Sequence, residues 1–99
     1  MKINDLIEQC GLETLNEVYE PEREVSGGYT SDLLSDVIAN SEKDNIWITM
    51  QTHLNIIAVA SLKELSAILI VMNREIDKDA LEKGKEEKIL WEKISYQST

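Results

Sequence analysis

The stretch that decides the fold is NIWITMQTHLN, residues 45–55. Its first half, Ile46 to Met50, is a dense run of apolar and β-branched residues that predicts a buried strand. Its second half is polar and opens an apolar helix, for which Thr52 is the expected N-cap. In an open α/β sheet such a junction brings the carboxyl end of a strand and the first amides of a helix to one crevice, where ligands usually bind.

Strand and helix signals alternate along the rest of the chain. Apolar and β-branched residues predict extended segments at residues 23–29, 46–50, 67–72 and 89–91. Apolar residues at helical spacing predict helices that begin near Ile3, Asp32, Thr52 and Asp77, the first of them ended by Gly11. The pattern in residues 12–18 is ambiguous. Strands separated by helices imply crossover connections, so the expected fold class is α/β with a largely parallel sheet of four or five strands and right-handed βαβ units.

The chain length predicts one domain. All 99 residues are assigned to it, with the core at 1–94 and a polar tail at 95–99. A domain of this size leaves part of its apolar surface outside, which favours a homodimer. Cys10 is the only cysteine, and the residues after Met1 reach Asp5 before any apolar run of signal-peptide length. We therefore expect a cytoplasmic protein.

The charge balance excludes two classes of partner. Nineteen acidic residues against ten basic ones give a net charge of −9. This charge repels a phosphate backbone, so we expect no nucleic acid partner. The lysines are dispersed among acids and form no basic amphipathic face, and the apolar runs are far shorter than a membrane span. We therefore expect no membrane partner.

Uncharged hydrogen-bonding side chains gather where the helix after residue 50 begins. Together with His53, the only imidazole, they could read a nucleobase, a carboxylate or a phosphate edge. Arg74 follows the second buried strand, so in a parallel sheet it should lie at the same edge and supply a positive charge. A glycine turn before the second helix could add backbone amides. The predicted ligand-binding residues are Gln51, Thr52, His53, Asn55, Asn73, Arg74, Gly27 and Gly28.

Each of these features also has a purely structural interpretation. Thr52 could serve only as a helix cap, with His53 directed to solvent or to a dimer partner and Asn55 on the surface. The glycine pair could form a turn that leads into a capped helix, and it lacks the lysine and spacing of a nucleotide-binding loop. Arg74 could pair with a neighbouring acid. The sequence leaves both interpretations open.

Catalytic and metal chemistry lack a supporting pattern. One histidine, one cysteine and scattered carboxylates do not have the spacing of a metal site, so we expect neither metal nor cofactor. A relay of Ser31 or Ser35 with His53 and Asp32 can be written on paper, but no nucleophile-elbow sequence accompanies it. We therefore expect a protein that is not an enzyme.

Three segments of this chain resemble the DRTGG domain family: Val25 to Val37, Trp47 to Ala60, and Ala67 to Val71. The resemblance covers about residues 1–94, and it is to the short stand-alone members of the family. It implies an α/β fold similar to the N-terminal domain of HPr kinase, a tendency to homodimerise, and a regulatory or ligand-sensing role. It implies no catalytic activity.

The motifs that give the family its name are altered in this chain. Met50-Gln51-Thr52-His53 occupies the place of the Gly-Asp-Arg stretch, and Met72-Asn73-Arg74 occupies that of the Thr-Gly-Gly stretch. The short stand-alone members resemble this chain in having Gln-Thr-His. The chain is therefore expected to belong to that branch.

Two hypotheses about function follow. The first is a non-catalytic regulatory or ligand-sensing domain, homodimeric, that binds a small anionic or nucleotide-like ligand at the predicted edge. The alternative is a protein–protein interaction module without a small-molecule ligand, with Trp47, Trp91 and Tyr29 as aromatic contact residues.

Overall fold

The computed structural model describes residues 2–15, 23–71 and 75–94, which hold four helices and five strands. In chain order the elements are α1 (Ile3–Cys10), β1 (Leu12–Thr14), β2 (Gly27–Thr30), α2 (Leu34–Asn40), β3 (Asn45–Thr49), α3 (Asn55–Leu62), β4 (Ala67–Ile70), α4 (Lys78–Glu86) and β5 (Leu90–Ile94).

The five strands form one sheet in the order β1-β5-β4-β3-β2. Strands β2, β3, β4 and β5 are parallel neighbours, and α2, α3 and α4 make the crossovers between them. This arrangement confirms the predicted α/β class and the largely parallel sheet. Strand β1 lies within the ambiguous stretch 12–18 and pairs with β5 in the antiparallel direction at one edge.

The central strands are buried because both faces of the sheet are covered there. One face carries Trp47, Ile68 and Trp91, which belong to a single core cluster with residues of α2, α3 and α4. The opposite face carries Ile46 and Ala67, which cluster with Ile3 of α1. Strands with two covered faces read as continuous apolar runs, which explains why β3 and β4 were recognisable in the sequence.

The ends of the helices follow the prediction at α1 but not at α2 and α3. Helix α1 ends at Gly11, which has the predicted left-handed conformation with a φ of 64°. Helix α2 has Leu33 at its N-cap and α3 has Leu54, and neither has a side-chain cap hydrogen bond. The predicted N-cap role of Thr52 is therefore wrong, because α3 begins at Asn55, two residues too late for that cap.

The extended segment predicted at residues 23–29 is confirmed at Gly27 and Gly28, whereas the turn that was also considered for these two glycines is wrong. Both residues belong to β2, and they pair in register with Asn45 and Ile46 of β3. The parallel pairing with a buried central strand extends these residues, so that only the later part of the segment turns toward α2.

Gly84 allows α4 to pack closely against β5. The Trp91 indole N–H donates to the Ala80 carbonyl oxygen at 3.0 Å. A Cβ atom on Gly84 would lie 2.8 Å from two atoms of that indole ring and 3.0 Å from the Ile89 carbonyl oxygen. Both the ring and the carbonyl are held in the core, so neither neighbour can move away cheaply.

We therefore expect Gly84→Ala to lower the free energy of unfolding by about 1–3 kcal/mol, because overpacking outweighs the usual gain of replacing a helical glycine. Gly27→Ala is the matched control, because its Cβ would meet Asn45 at an ordinary 3.7 Å. Urea unfolding followed by tryptophan fluorescence measures both. Equal stability of the two variants would contradict the packing described for Gly84.

Candidate functional site

The segments that follow β3 and β4 meet at one edge of the sheet. Because β3 and β4 are parallel, their carboxyl ends point to the same edge. The Asp77 N–H, at the start of α4, donates to the Thr52 carbonyl oxygen at 3.2 Å. The Val71 N–H likewise donates to the Thr49 carbonyl oxygen at 3.2 Å. We call this region, residues 49–55 together with Asp32 and Asp77, the carboxyl edge.

His53 is an exposed polar group of the carboxyl edge. Its Nδ1 atom lies 3.3 Å from Oδ2 of Asp77, and 66% of its side-chain surface is exposed. A carboxylate against one ring nitrogen orients an imidazole and leaves the other nitrogen to face outward. The pair is too exposed to stabilise the fold by much, so its main effect is to orient the ring.

Hydrogen bonds to Asp32 connect the loop before α2 to the end of β3. Its Oδ1 atom accepts hydrogen bonds from the Thr49 hydroxyl at 2.7 Å and from the Met50 N–H at 2.8 Å. The Gln51 side-chain amide donates to the Asp32 carbonyl oxygen at 3.1 Å. Asp32, near which the second helix was predicted to begin, therefore organises the carboxyl edge, and the N-cap of α2 is Leu33.

The other polar residues of the segment differ in accessibility. The Gln51 amide is already bonded to Asp32, and Thr52 is only 7% exposed. Asn55 is exposed as the first residue of α3. Among the predicted ligand residues of this segment, His53 and Asn55 are therefore the two that present an exposed side chain.

The structure does not bring Gly27 and Gly28 to the carboxyl edge. Gly28 pairs with Ile46 near the amino end of β3, whereas the carboxyl edge begins at Thr49. Three residue steps along the strand separate Ile46 from Thr49, a distance of about 10 Å. Gly27 and Gly28 therefore do not lie with the other predicted ligand residues at the carboxyl edge.

Asn73 and Arg74, the other two predicted ligand residues, lie outside the described residues. The nearest described residues on either side, Val71 and Glu75, are respectively half-buried and exposed. The prediction that Arg74 shares an edge with His53 stays a prediction.

Acidic groups dominate the described part of the carboxyl edge. The Asp32 and Asp77 carboxylates both lie there. A negative ligand placed close to them needs a compensating cation, which is the role predicted for Arg74. Within the described residues, no three His, Cys, Asp or Glu side chains are grouped as a metal site would require.

An open groove adjoins the carboxyl edge between the start of α3 and the face of α4. Its volume is about 480 Å³. One apolar residue and five charged residues line it: Leu54, Asp79, Glu82, Lys83, Lys85 and Glu86. The Lys83 ammonium lies 3.7 Å from carboxylate oxygens of both Glu86 and Glu87, so its charge is largely compensated within α4. The groove is a solvent-exposed surface of mixed charge beside the His53–Asp77 pair.

The aromatic residues predicted for a protein contact lie elsewhere. Trp47 and Trp91 are fully buried in the core, so neither forms a contact surface. Tyr29 is half-buried, and its hydroxyl donates to Asp36 at 2.8 Å, which raises the pKa of Tyr29. Hydrogen bonds from Asn40 and Tyr29 in turn lower the pKa of Asp36. These side chains join β2 to α2.

Sequence reasoning missed the roles of Asp32 and Asp77. Both follow strands of the parallel part of the sheet, as do Gln51 and Arg74. The rule that placed Arg74 at the carboxyl edge, applied to every predicted strand, would have placed both aspartates there as well.

No protein-family model matches this chain, and no curated protein matches it. The resemblance to the DRTGG family therefore rests on the sequence segments quoted above. Within the described ranges, no helix has both the length and the apolar character that a membrane crossing requires.

The role of Asp32 gives a testable expectation. We expect Asp32→Ala to lower the free energy of unfolding by about 1–2 kcal/mol, because the Thr49 hydroxyl and the Met50 N–H both lose their acceptor. Asp32→Asn keeps an acceptor oxygen and should recover most of the loss. Chemical denaturation measures the free energy of unfolding of the wild type and of both Asp32 variants. The control is Ser35→Ala, a change at an exposed residue of α2. A loss for Asp32→Ala no larger than the loss for Ser35→Ala would contradict the role.

Proposed function

We propose that this chain is a non-catalytic regulatory domain of the DRTGG type that senses a small ligand at the carboxyl edge. The observation that carries the proposal is the meeting of the segments after β3 and β4, where an exposed His53 is oriented by Asp77. Open α/β sheets bind ligands at such edges, since loops from neighbouring strands converge there.

The hydrogen bonds of the edge favour binding over catalysis. In the relay considered from sequence, Asp32 would have to orient His53, but its Oδ1 atom accepts from Thr49 and Met50. Asp77 contacts His53 instead, and the Ser31 hydroxyl accepts a hydrogen bond from the Leu33 N–H at 3.1 Å. These groups therefore support recognition of a ligand more readily than activation of a nucleophile.

The charges of the edge suggest a nucleotide-like ligand. Hydroxyl or amino groups of a nucleoside can donate to a carboxylate such as Asp77, and a ring edge can bond to His53 or Asn55. A phosphate needs a positive partner, for which we propose Arg74. We further propose that the domain acts as a cytoplasmic homodimer.

Thermal-shift measurements with nucleotides and phosphorylated metabolites test the proposal. A ligand present at about 100 times its Kd stabilises the folded state by about 2.7 kcal/mol, which raises the Tm by several degrees in a domain of this size. We expect His53→Ala to reduce that shift. Lys63→Ala, which changes the C-cap of α3 at the far end of the helix, should leave it unchanged.

Arg74→Ala then distinguishes the ligand classes. Loss of the shift for phosphorylated ligands, with retention for the corresponding nucleosides, is the result expected of a phosphate contact. If no compound in a broad panel shifts the Tm of the wild-type protein, the ligand-sensing function is wrong.

A protein–protein interaction module is the second candidate. The observation that favours it is the exposure of apolar side chains beside His53, with Met50 at 37% and Leu54 at 43%. Such residues can form the centre of a protein contact. Sedimentation equilibrium of wild type and of Leu54→Ser tests a homodimer through these residues, with Leu62→Ser, an exposed change at the end of α3, as the control. Dissociation caused only by Leu54→Ser supports the contact, whereas identical masses for all three proteins contradict it.

A further inference from the structure

Glu92 is a fully buried carboxyl group in β5. Its exposed surface is 0%, and neither carboxyl oxygen has a hydrogen-bond partner in the described ranges 2–15, 23–71 and 75–94. Buried carboxyl groups are normally paired or hydrogen-bonded, because an ionised carboxylate loses its hydration on burial. A group that violates this rule needs a physical explanation.

The surroundings of Glu92 disfavour its ionised form. Across the sheet it pairs with Leu69 of β4 on one side and with Thr14 of β1 on the other. Along β5, Leu90 shares its face, since side chains two residues apart in a strand lie on the same face. Leu90 belongs to the cluster that contains Ile3 of α1, so Glu92 lies on the face that α1 covers.

The described charged residues of the adjoining elements offer Glu92 no compensation. Strand β4 has no titratable residue. In β1, Glu13 is paired with Lys93 at 3.5 Å, and these two residues alternate with Glu92 toward the opposite face. In α1, Asp5 and Glu8 are exposed acids. Lys2, at the N-cap of α1, is exposed and forms a β-bridge with Glu24. The Arg23 guanidinium forms a salt bridge with Asp44, the residue immediately before β3.

We propose that Glu92 is a proton-controlled switch that determines how firmly α1 and β1 are held against the sheet. The folded domain holds Glu92 as the neutral acid. Once the proton is lost, the carboxylate must reach water, and displacement of the edge strand β1 together with α1 would open a route to it. Strand β1 is three residues long and lies at the sheet edge, where β5 is its one partner among the described strands. Helix α1 is joined to it by Gly11, so the Gly11 end of the helix would move with β1. The other end of α1 is held by the Ile3 N–H, which donates to the Arg23 carbonyl oxygen at 2.9 Å.

The direction of the pH effect follows from the burial. Burial raises the pKa of Glu92 from 4.5 to about 7. Below about pH 4.5 the carboxyl is protonated in both the folded and the unfolded state, and its full contribution to stability is present. As the pH rises from about 4.5 through about 7, the folded protein progressively loses that contribution, and above that range the loss is complete. The difference between the two pKa values limits the change in the opening or unfolding equilibrium to about 300-fold.

Hydrogen exchange measured between pH 5.5 and 8.5 tests the proposal on the intact chain. After correction for the intrinsic pH dependence of exchange, we expect the protection of amides in residues 2–15 to fall by at least about tenfold in the wild type, within the limit set by the pKa difference. In Glu92→Gln, which cannot ionise, protection should stay level. Glu8→Gln, an exposed change in α1, should behave like the wild type. The same pH dependence in Glu92→Gln and in the wild type would overturn the proposal.

A second measurement keeps the test decisive if Glu92→Gln does not fold. Carbon NMR of wild-type protein labelled at the glutamate side-chain carboxyls should show one carboxyl with a midpoint near neutrality. The amide shifts of α1 and β1 should change with the same midpoint. Titration of every glutamate in the ordinary range near 4.3 would exclude a buried neutral acid. This switch is independent of the ligand proposed for the carboxyl edge, so either proposal can fail alone.

Discussion

The parallel pairing of β3 with β4 is the constraint on which the rest of the structure depends. Parallel neighbours cannot be joined by a tight turn, so α3 must cross one face of the sheet and bury Ile56, Ile57 and Val59 against it. The same pairing directs both carboxyl ends to one edge. The hydrogen bond between Thr52 and Asp77 at that edge is therefore a consequence of strand direction, and so is the contact between His53 and Asp77.

The two faces of the sheet differ in the helices that cover them and in the polarity of the side chains they bury. Three helices cover the face that holds both tryptophans, and the large cluster there gives the carboxyl edge a rigid support. On the other face, α1 is the one helix of the described chain, and a carboxyl group without a hydrogen-bond partner lies among apolar side chains. A packed face beneath the carboxyl edge and a buried carboxyl group on the opposite face are the two features on which the proposed sensing role and the proposed switch rest.

Much of the fold was predictable because its main signals are local. The apolar runs Ile46 to Met50 and Ala67 to Met72 mark the buried strands, and Gly11 marks the end of α1. The parts that were missed depend on partners distant in the sequence. The sequence allowed both an extended segment and a turn at Gly27 and Gly28, and these residues are extended because β3 offers them a parallel partner. Asp32 looks like a helix cap, yet the end of β3 provides two donors for its carboxylate. The burial of Glu92 also depends on distant partners and could not be predicted from the sequence. Charged residues in a strand such as β5 are typical of a solvent-exposed strand.

The central claim is that the chain segments after β3 and β4 converge at one edge. NMR scalar coupling across hydrogen bonds tests it most directly, because it detects a particular donor and acceptor. We expect a coupling between the Asp77 amide nitrogen and the Thr52 carbonyl carbon, together with slow exchange of the Asp77 amide proton. Rapid exchange of that proton without any coupling to Thr52 would contradict the convergence, and with it the candidate site.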